Sequence, residues 1–510
     1  MNALETVVLS DLHLCDAHEP TRRRPHWMAH KRRDFFFDDD FGRLIHHLEE
    51  QADGPVELVL NGDTFDFDSV TALPTDRGGK ISWLARLRGL ASEEWMSLFK
   101  LERIVADHGP WFDHLAGFIR RGGRVIFVIG NHDVELLWPS LQQRIRELLG
   151  VDSLSGEREV GASEPPASLV PDDEPVVFCS WFYLSNGDTY ISHGHQYDPN
   201  CVQKNPIDPL IKVRGRPRVR IPFGDLAARY MLNGMGYFNP HDTGNYIRTA
   251  GAYAKFFFQF MFLTQPLLIW TWFWGAAMTF YISLRDHLLS PMRDPLMVEA
   301  KVREIARRAR TSASIVRKLN ALRVPSACNN PLRIMRELWL DRALLLIAVL
   351  YAAWQIILHI NVAWSISPWW IVVPLALLLP PYFVYAGSVK PTVFKQPLLT
   401  EERARLIAKI TGARQVVFGH THVPETARVG EVSYVNGGFW SPAFVTPECK
   451  QRVGTQTFVW IRLPEETSAN RQVALYEWPS GASEPLGLPA NGDLSLAEPG
   501  AAEPPKIAAG

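Results

Sequence analysis

Thiolate pairs are missing from this chain. Its five cysteines (Cys15, Cys179, Cys201, Cys328 and Cys449) are odd in number, scattered, and never spaced as C-x-x-C. That spacing offers no disulfide framework and suits reduced thiols in a cytosolic compartment. Surplus charge is missing as well. The 53 basic and 54 acidic side chains leave a formal net charge of -1, so no basic excess argues for nucleic acid as a partner. Internal repeats are absent. Met1 to Val8 lacks a basic stretch leading into a long apolar one, and reads as a first strand instead of a signal peptide. The last absence is local: Arg342 and Lys390 bracket 47 residues, 343–389, without one Asp, Glu, Lys or Arg.

What is there begins with Gly130-Asn131-His132-Asp133, standing directly after the apolar run Val125 to Ile129. Such a run, bounded by glycines, predicts a buried strand. The tetrapeptide then falls on the loop at its carboxyl end, where open α/β sheets place their ligands. Four other short motifs end predicted strands in the same way. Glu5 to Ser10 leads to Asp11 and His13, which share one face of an extended chain and can reach one ion. Val56 to Leu60 leads to Gly62-Asp63. Val176 to Phe182 and Asp188 to Ser192 pair around Asn186-Gly187, a favoured hairpin turn, and lead to His193-Gly194-His195. Far downstream, Gln415 to Phe418 leads to Gly419-His420-Thr421-His422. Carboxylate, imidazole and amide oxygens gathered at one sheet edge suit Mn²⁺, Fe or Zn²⁺, and the lack of thiolates argues against a structural zinc site.

The order and residue types of these five motifs resemble the calcineurin-like metallophosphoesterase family over roughly Met1 to Asn205 and Leu398 to Trp440. The resemblance implies an α/β fold, a four-layer α/β/β/α sandwich, with two metals about 3.5–4 Å apart. Carried over by motif, the first ion takes Asp11, His13, Asp63 and His422. The second takes Asp63, Asn131, His193 and His420, with Asp63 bridging. Mn²⁺ is the expected metal, with Fe or Zn²⁺ as alternatives. His132 matches the family's non-ligand histidine and is expected to stabilise the transition state or protonate the leaving oxygen. Asp133 is expected to hold its ring, or else to close the loop. His195 either lines the site or stands by, since relatives often carry Asp there. Tyr434 to Trp440 resembles the family's N-x-G-x-W, with Asn436 tying down the loop of His420. Ser10 to Cys15 is similar to the UDP-2,3-diacylglucosamine hydrolase branch, which typically carries arginine where His132 stands.

Between the two matching parts the composition changes. At 1.5 Å per helical residue the uncharged 343–389 stretch spans roughly 70 Å, two crossings of a ~30 Å core with a turn at Asn361 to Pro368. Trp364, Trp369 and Trp370 sit where interfacial aromatics belong. The run Phe256 to Leu284 holds 29 uncharged residues, enough for one span and too short for two. His193 and His420 must meet, so the chain between them crosses an even number of times. Arg285 to Asp341 carries 12 Lys/Arg against 6 Asp/Glu, which places the flanks on the cytoplasmic side. The run around Pro266 is therefore expected to lie in the interface or to dip and return; the alternative is a true span here, with one half of the later hairpin failing to cross. Val302 to Leu322 is expected as a basic amphipathic helix along the headgroups. The cluster from Arg22 to Arg33 offers a second anion-binding patch or a solvated loop.

These readings divide the chain into a metallophosphoesterase domain over 1–204 and 398–478, a helical membrane-associated insertion over 205–397 (apolar runs 256–284, 343–362 and 368–389), and a disordered tail over 479–510. Gly150 to Pro175 reads as a mobile surface insertion. The expected function is a metal-dependent phosphoesterase at the cytoplasmic membrane, catalytic domain facing the cytoplasm. Membrane lipids are the partners, and the substrate is a phosphate ester or pyrophosphate carried on a lipid. A tethered phosphodiesterase for soluble nucleotides, and a non-catalytic scaffold of the same fold, are the alternatives.

Overall fold

A computed structural model describes residues 4–75, 81–151, 174–239, 250–292, 298–389, 398–464 and 471–487. The stretch 152–173, most of the expected surface insertion, and residues 488–510 of the expected tail lie outside the described residues.

The strands follow the short apolar runs. β1 (Glu5–Leu9), β2 (Val56–Asn61), β3 (Arg124–Val128) and β4 (Val176–Cys179) pair in parallel in that order. β5 (Phe182–Ser185) and β6 (Thr189–Ser192) form the expected hairpin. Asn186 and Gly187 both have positive φ, 47° and 77°, as a type I′ turn requires. β7 (Leu210–Val213) and β8 (Arg216–Val219) make a separate ribbon. β9 (Gln415–Phe418), β10 (Glu425–Val429) and β11 (Val432–Asn436) join β6 and β5 in a five-stranded sheet of order β10-β11-β9-β6-β5. β12 (Gln456–Arg462), β13 (Gln472–Trp478) and β14 (Leu486–Gly487) return to the first sheet, giving the order β14-β13-β12-β1-β2-β3-β4. The tail expected to be disordered from 479 is thus ordered to 487, because β14 pairs with β13 and Gly481 donates its N–H to Asp40 at 2.8 Å.

Alternation along the strands decides the layering. Val8, Val59, Ile126, Val177 and Val459 of the first sheet meet Tyr183, Ile191, Val417 and Val435 of the second in one apolar layer. Their neighbours Val7, Leu9, Leu58, Leu60, Val125 and Phe127 face outward, under Leu44, Leu101, Trp111, Leu115 and Ile145 of four helices. A sheet buried on both faces reads as continuous hydrophobic runs, which is what β1, β2 and β3 show. On the far side, Phe182, Tyr190, Val416 and Phe418 pack under Ala404 and Ile407 of the helix Glu401–Thr411. Val302, Ile305, Val316 and Leu319 join that layer.

The last contact corrects one expectation. Val302 to Leu322 is not one helix along headgroups but two, Val298–Arg308 and Ala313–Ala321, and their apolar stripe covers the second sheet. An amphipathic stripe needs an apolar partner, and here the protein supplies it. Ile81 to Asp107, apolar enough along its length to read as one helix, likewise forms two, Trp83–Arg88 and Glu94–Asp107, broken at Gly89 with φ 86°.

All of 193–414 therefore sits between two neighbouring strands, β6 and β9. Within it, Leu340–Ala363 and Pro368–Ser388 are long and apolar enough to cross a membrane, by length and composition. Their side chains are mostly exposed, Leu377 and Val384 to 71% and 73%. The run 256–284 is not one rod. Helical turns end near Met261, the chain turns around Pro266, and a helix runs from Leu268 to Leu288. Ala276, Thr279 and Ile282 of that helix are buried, while Leu263, Leu267 and Ile269 at the turn are exposed.

Candidate metal centre

Five loops from both ends of the chain converge at the carboxyl ends of β1, β2, β3, β6 and β9. Backbone hydrogen bonds lock them together: Asp11 N–H to Gly62 O (3.2 Å), His13 N–H to Asp63 O (2.8 Å) and Gly419 N–H to His193 O (3.0 Å). Asp11, His13, Asp63, His420 and His422 all hold left-handed backbone, φ 57°, 51°, 50°, 70° and 58°. That region is uncommon for non-glycine residues and concentrates at functional sites. Glycine is required where the Asp63 and Asp11 carboxylates fill the space a Cβ would take. A Cβ on Gly130 would lie 2.2 Å from Oδ1 of Asp63, and one on Gly419 2.6 Å from Oδ2 of Asp11.

Of the five groups of potential ligands among the described residues, two consist wholly of residues the motifs singled out as ligands, Asp11 with His13 and His422, and Asp63 with His193 and His420. Each group's donor atoms lie within 4.8 Å of one another. Asp63 stands between them. Its Oδ2 is 3.0 Å from Nε2 of His193 and 4.0 Å from Nε2 of His13. Oδ1 of Asn131 lies 3.2 Å from Nε2 of His193. All seven residues that the motifs singled out as ligands are brought together. Asp11, Asp63, Asn131 and His193 are buried, whereas the rings of His420, His422 and His132 are 11%, 15% and 17% exposed at the mouth.

The electrostatics fit divalent cations. Oδ1 of Asp11 is buried with no hydrogen bond among the described residues, yet ring nitrogens of His422, His13 and His193 stand 3.1, 3.8 and 4.0 Å away. Burial alone would disfavour a charged His193 ring, but the carboxylates of Asp63 and Asp11 outweigh it and push its pKa up to about 9. Burial opposes ionisation of Asp63 too, and the histidines around it still hold it well below the usual carboxylate range. This is a cavity that favours positive charge. Nδ1 of His193 faces Asn61 O at 3.0 Å, which leaves Nε2 for a ligand. Asn436 does tie down the last loop, donating to Gly419 O at 2.8 Å.

Asp133 does not hold the ring of His132. Its oxygens accept the N–H groups of Thr64 (2.8 Å) and Gly130 (2.6 Å), so it closes the loop. The His132 ring lies instead between Asp66 (3.4 Å from Nδ1) and Asp225 (3.3 Å from Nε2). Burial disfavours its charged form, yet Asp225, Asp66 and Asp63 together raise its pKa well above the ordinary value. The carboxylates of Asp66, Asp198 and Asp225 went unread in the sequence. Asp66 follows Asp63 by three residues, a signal that was available. Asp198 lies 3.1 Å from Nε2 of His420. Asp225 sits in the stretch assigned to the membrane insertion, where no motif points to it.

His195 is buried beside the centre, its ring 5.5 Å from His193 and 6.5 Å from His420. The basic cluster divides: Lys31 is buried and donates to Ser69 O at 2.8 Å, while Arg22 and Arg23 are exposed.

Residues 4–226 match the family model described as calcineurin-like phosphoesterase. No curated protein matches the chain. The matched region reaches past the expected boundary at 204 and takes in Asp225. Residues 4–226 are thus a calcineurin-like phosphoesterase domain, and such a domain indicates a metal-dependent phosphoric ester hydrolase.

Proposed function

We propose that this hydrolase works with two divalent cations, Mn²⁺ first among them, on a phosphate ester or pyrophosphate held at a cytoplasmic membrane surface. Asp11, His13, Asp63 and His422 would hold one cation, and Asp63, Asn131, His193 and His420 the other. Such a pair supplies hydroxide at neutral pH and neutralises charge on the phosphoryl oxygens. The protein's own groups do the rest. Asp63 and Asn131 are fixed by hydrogen bonds before substrate arrives, so little reorganisation is needed. His132, partly exposed and set between two carboxylates, keeps a proton to deliver to the leaving oxygen. The observation that carries this reading is the meeting of Asp63 with His193 and His420 across the whole insertion.

The exposed apolar helices support membrane association, and the exposed turn around Pro266 supports a further contact in the interface. Burial of so much apolar surface beside the site favours a lipid-linked substrate over a soluble nucleotide. Mn²⁺-dependent hydrolysis of bis-p-nitrophenyl phosphate should disappear in Asp63→Ala. Hydrolysis that survives that change would remove the proposed centre. Detergent-solubilised enzyme incubated with total lipid extract should deplete a phosphorylated lipid. Depletion of nucleotides instead would leave a tethered phosphodiesterase.

A further inference from the structure

Asp225 is fully buried on the short helix Phe223–Ala227. Its Oδ1 accepts a hydrogen bond from Nδ2 of Asn131 at 2.7 Å, while the amide oxygen of Asn131 lies 3.2 Å from Nε2 of His193. An asparagine amide presents a donor end and an acceptor end of nearly the same shape, and its surroundings choose between them. An ionised carboxylate can only accept. Asp225 therefore binds the NH₂ end and leaves the oxygen toward Nε2 of His193, the end that a cation needs.

We propose that Asp225 is a positioning residue, which holds the Asn131 amide with its oxygen toward the second cation. The inference rests on the two-cation reading above. It also gives the apolar region a part in the site. Phe223 packs with Ala276 of the helix Leu268–Leu288, with Ile334 and Leu338, and with Leu340 at the base of the apolar hairpin. Thr279 of the same helix, which donates to Gly275 O at 2.9 Å, brings its hydroxyl to 3.5 Å from Leu226 O. The element that carries Asp225 is thus clamped between the catalytic loop and the helices that lead to the membrane.

Metal content separates positioning from mere charge. Full-length protein in detergent is stripped, titrated with Mn²⁺ alone, and assayed for bound metal per chain. The native chain should bind two ions. Asp225→Ala should keep the first and bind the second about 10–100-fold more weakly, the usual cost of losing an outer partner. Asp225→Asn loses the charge but keeps an acceptor oxygen, so it should bind the second ion within a few-fold of the native chain. Equal loss in both variants would make the effect one of charge and overturn the proposal. So would native-like binding by Asp225→Ala. Asp225→Ser, too short to reach the amide, replaces the alanine variant should that fail to fold. Fewer than two ions on the native chain would sink the two-cation reading itself, and this inference with it.

Discussion

Neighbours in the sequence need not share a task, and His132 and Asp133 show why. At the turn after β3 the His132 ring points to the mouth, between Asp66 and Asp225, while the Asp133 carboxylate points back and accepts two backbone N–H groups. Resemblance to a family motif located both residues but could not tell which way the second one faces, because the turn sends successive side chains in opposite directions. Their substitutions should therefore fail differently. Asp133→Asn leaves one of two buried N–H groups facing an NH₂. That costs on the order of 1–3 kcal/mol and should appear as a lower melting temperature. His132→Ala should melt like the native chain and bind both cations, yet lose about 10²–10⁴ in kcat. The loss should be larger for an alkyl ester, whose leaving oxygen needs a proton, than for a p-nitrophenyl ester. Equal losses on both esters would remove His132 from proton transfer.

Periodicity announces an apolar face but not what covers it. The helices Val298–Arg308 and Ala313–Ala321 and the helices of the apolar hairpin were all legible as helical from their patterns. The first pair turned out to roof the second sheet, through Val302, Ile305, Val316 and Leu319. The difference lies in how far the apolar surface extends. A stripe on a basic helix fits one partner, whereas Leu340–Ala363 exposes apolar side chains in every direction, with Leu344, Leu350 and Ile356 spaced around it and all exposed. Among the described residues only a narrow face of it, Ala353 and Ile357, is covered along the hairpin. The two ends of the hairpin adjoin, since Arg342 donates to Val389 O and Tyr385 donates to Asp341 at 2.7 Å. Replacing residues 344–387 by a short Gly-Ser turn should therefore spare the catalytic sheets. The native chain should stay in the pellet on alkaline carbonate extraction. The shortened chain should move to the supernatant and still bind Mn²⁺. A native chain released by carbonate would contradict the membrane reading.

At the scale of the whole molecule, closure of the site constrains the path of the chain. His193 and His420 flank the insertion and stand 5.2 Å apart, ring to ring. The first sheet is closed in the same way, by β12 pairing with β1 from the other end of the chain. The five motifs made the convergence legible, because each ended a strand that had to lie at one edge. The return of β12 to β1 was not, since strand patterns carry no record of distant partners. A chain that leaves β6 and comes back to β9 on the same side of a bilayer must cross it an even number of times. Two crossings by the hairpin satisfy this, provided that the segment around Pro266 does not pass through. Single cysteines test the count. With a membrane-impermeant maleimide on intact cells, Ser365→Cys in the hairpin turn should be labelled. Arg22→Cys and Arg428→Cys, both at exposed positions of the catalytic part, should react only after lysis. If one of those two reacts in intact cells and the other does not, the halves of the site lie on opposite sides of the membrane and cannot form one centre. If both react and Ser365→Cys does not, the centre survives but faces outward, and the substrate must be sought on that surface.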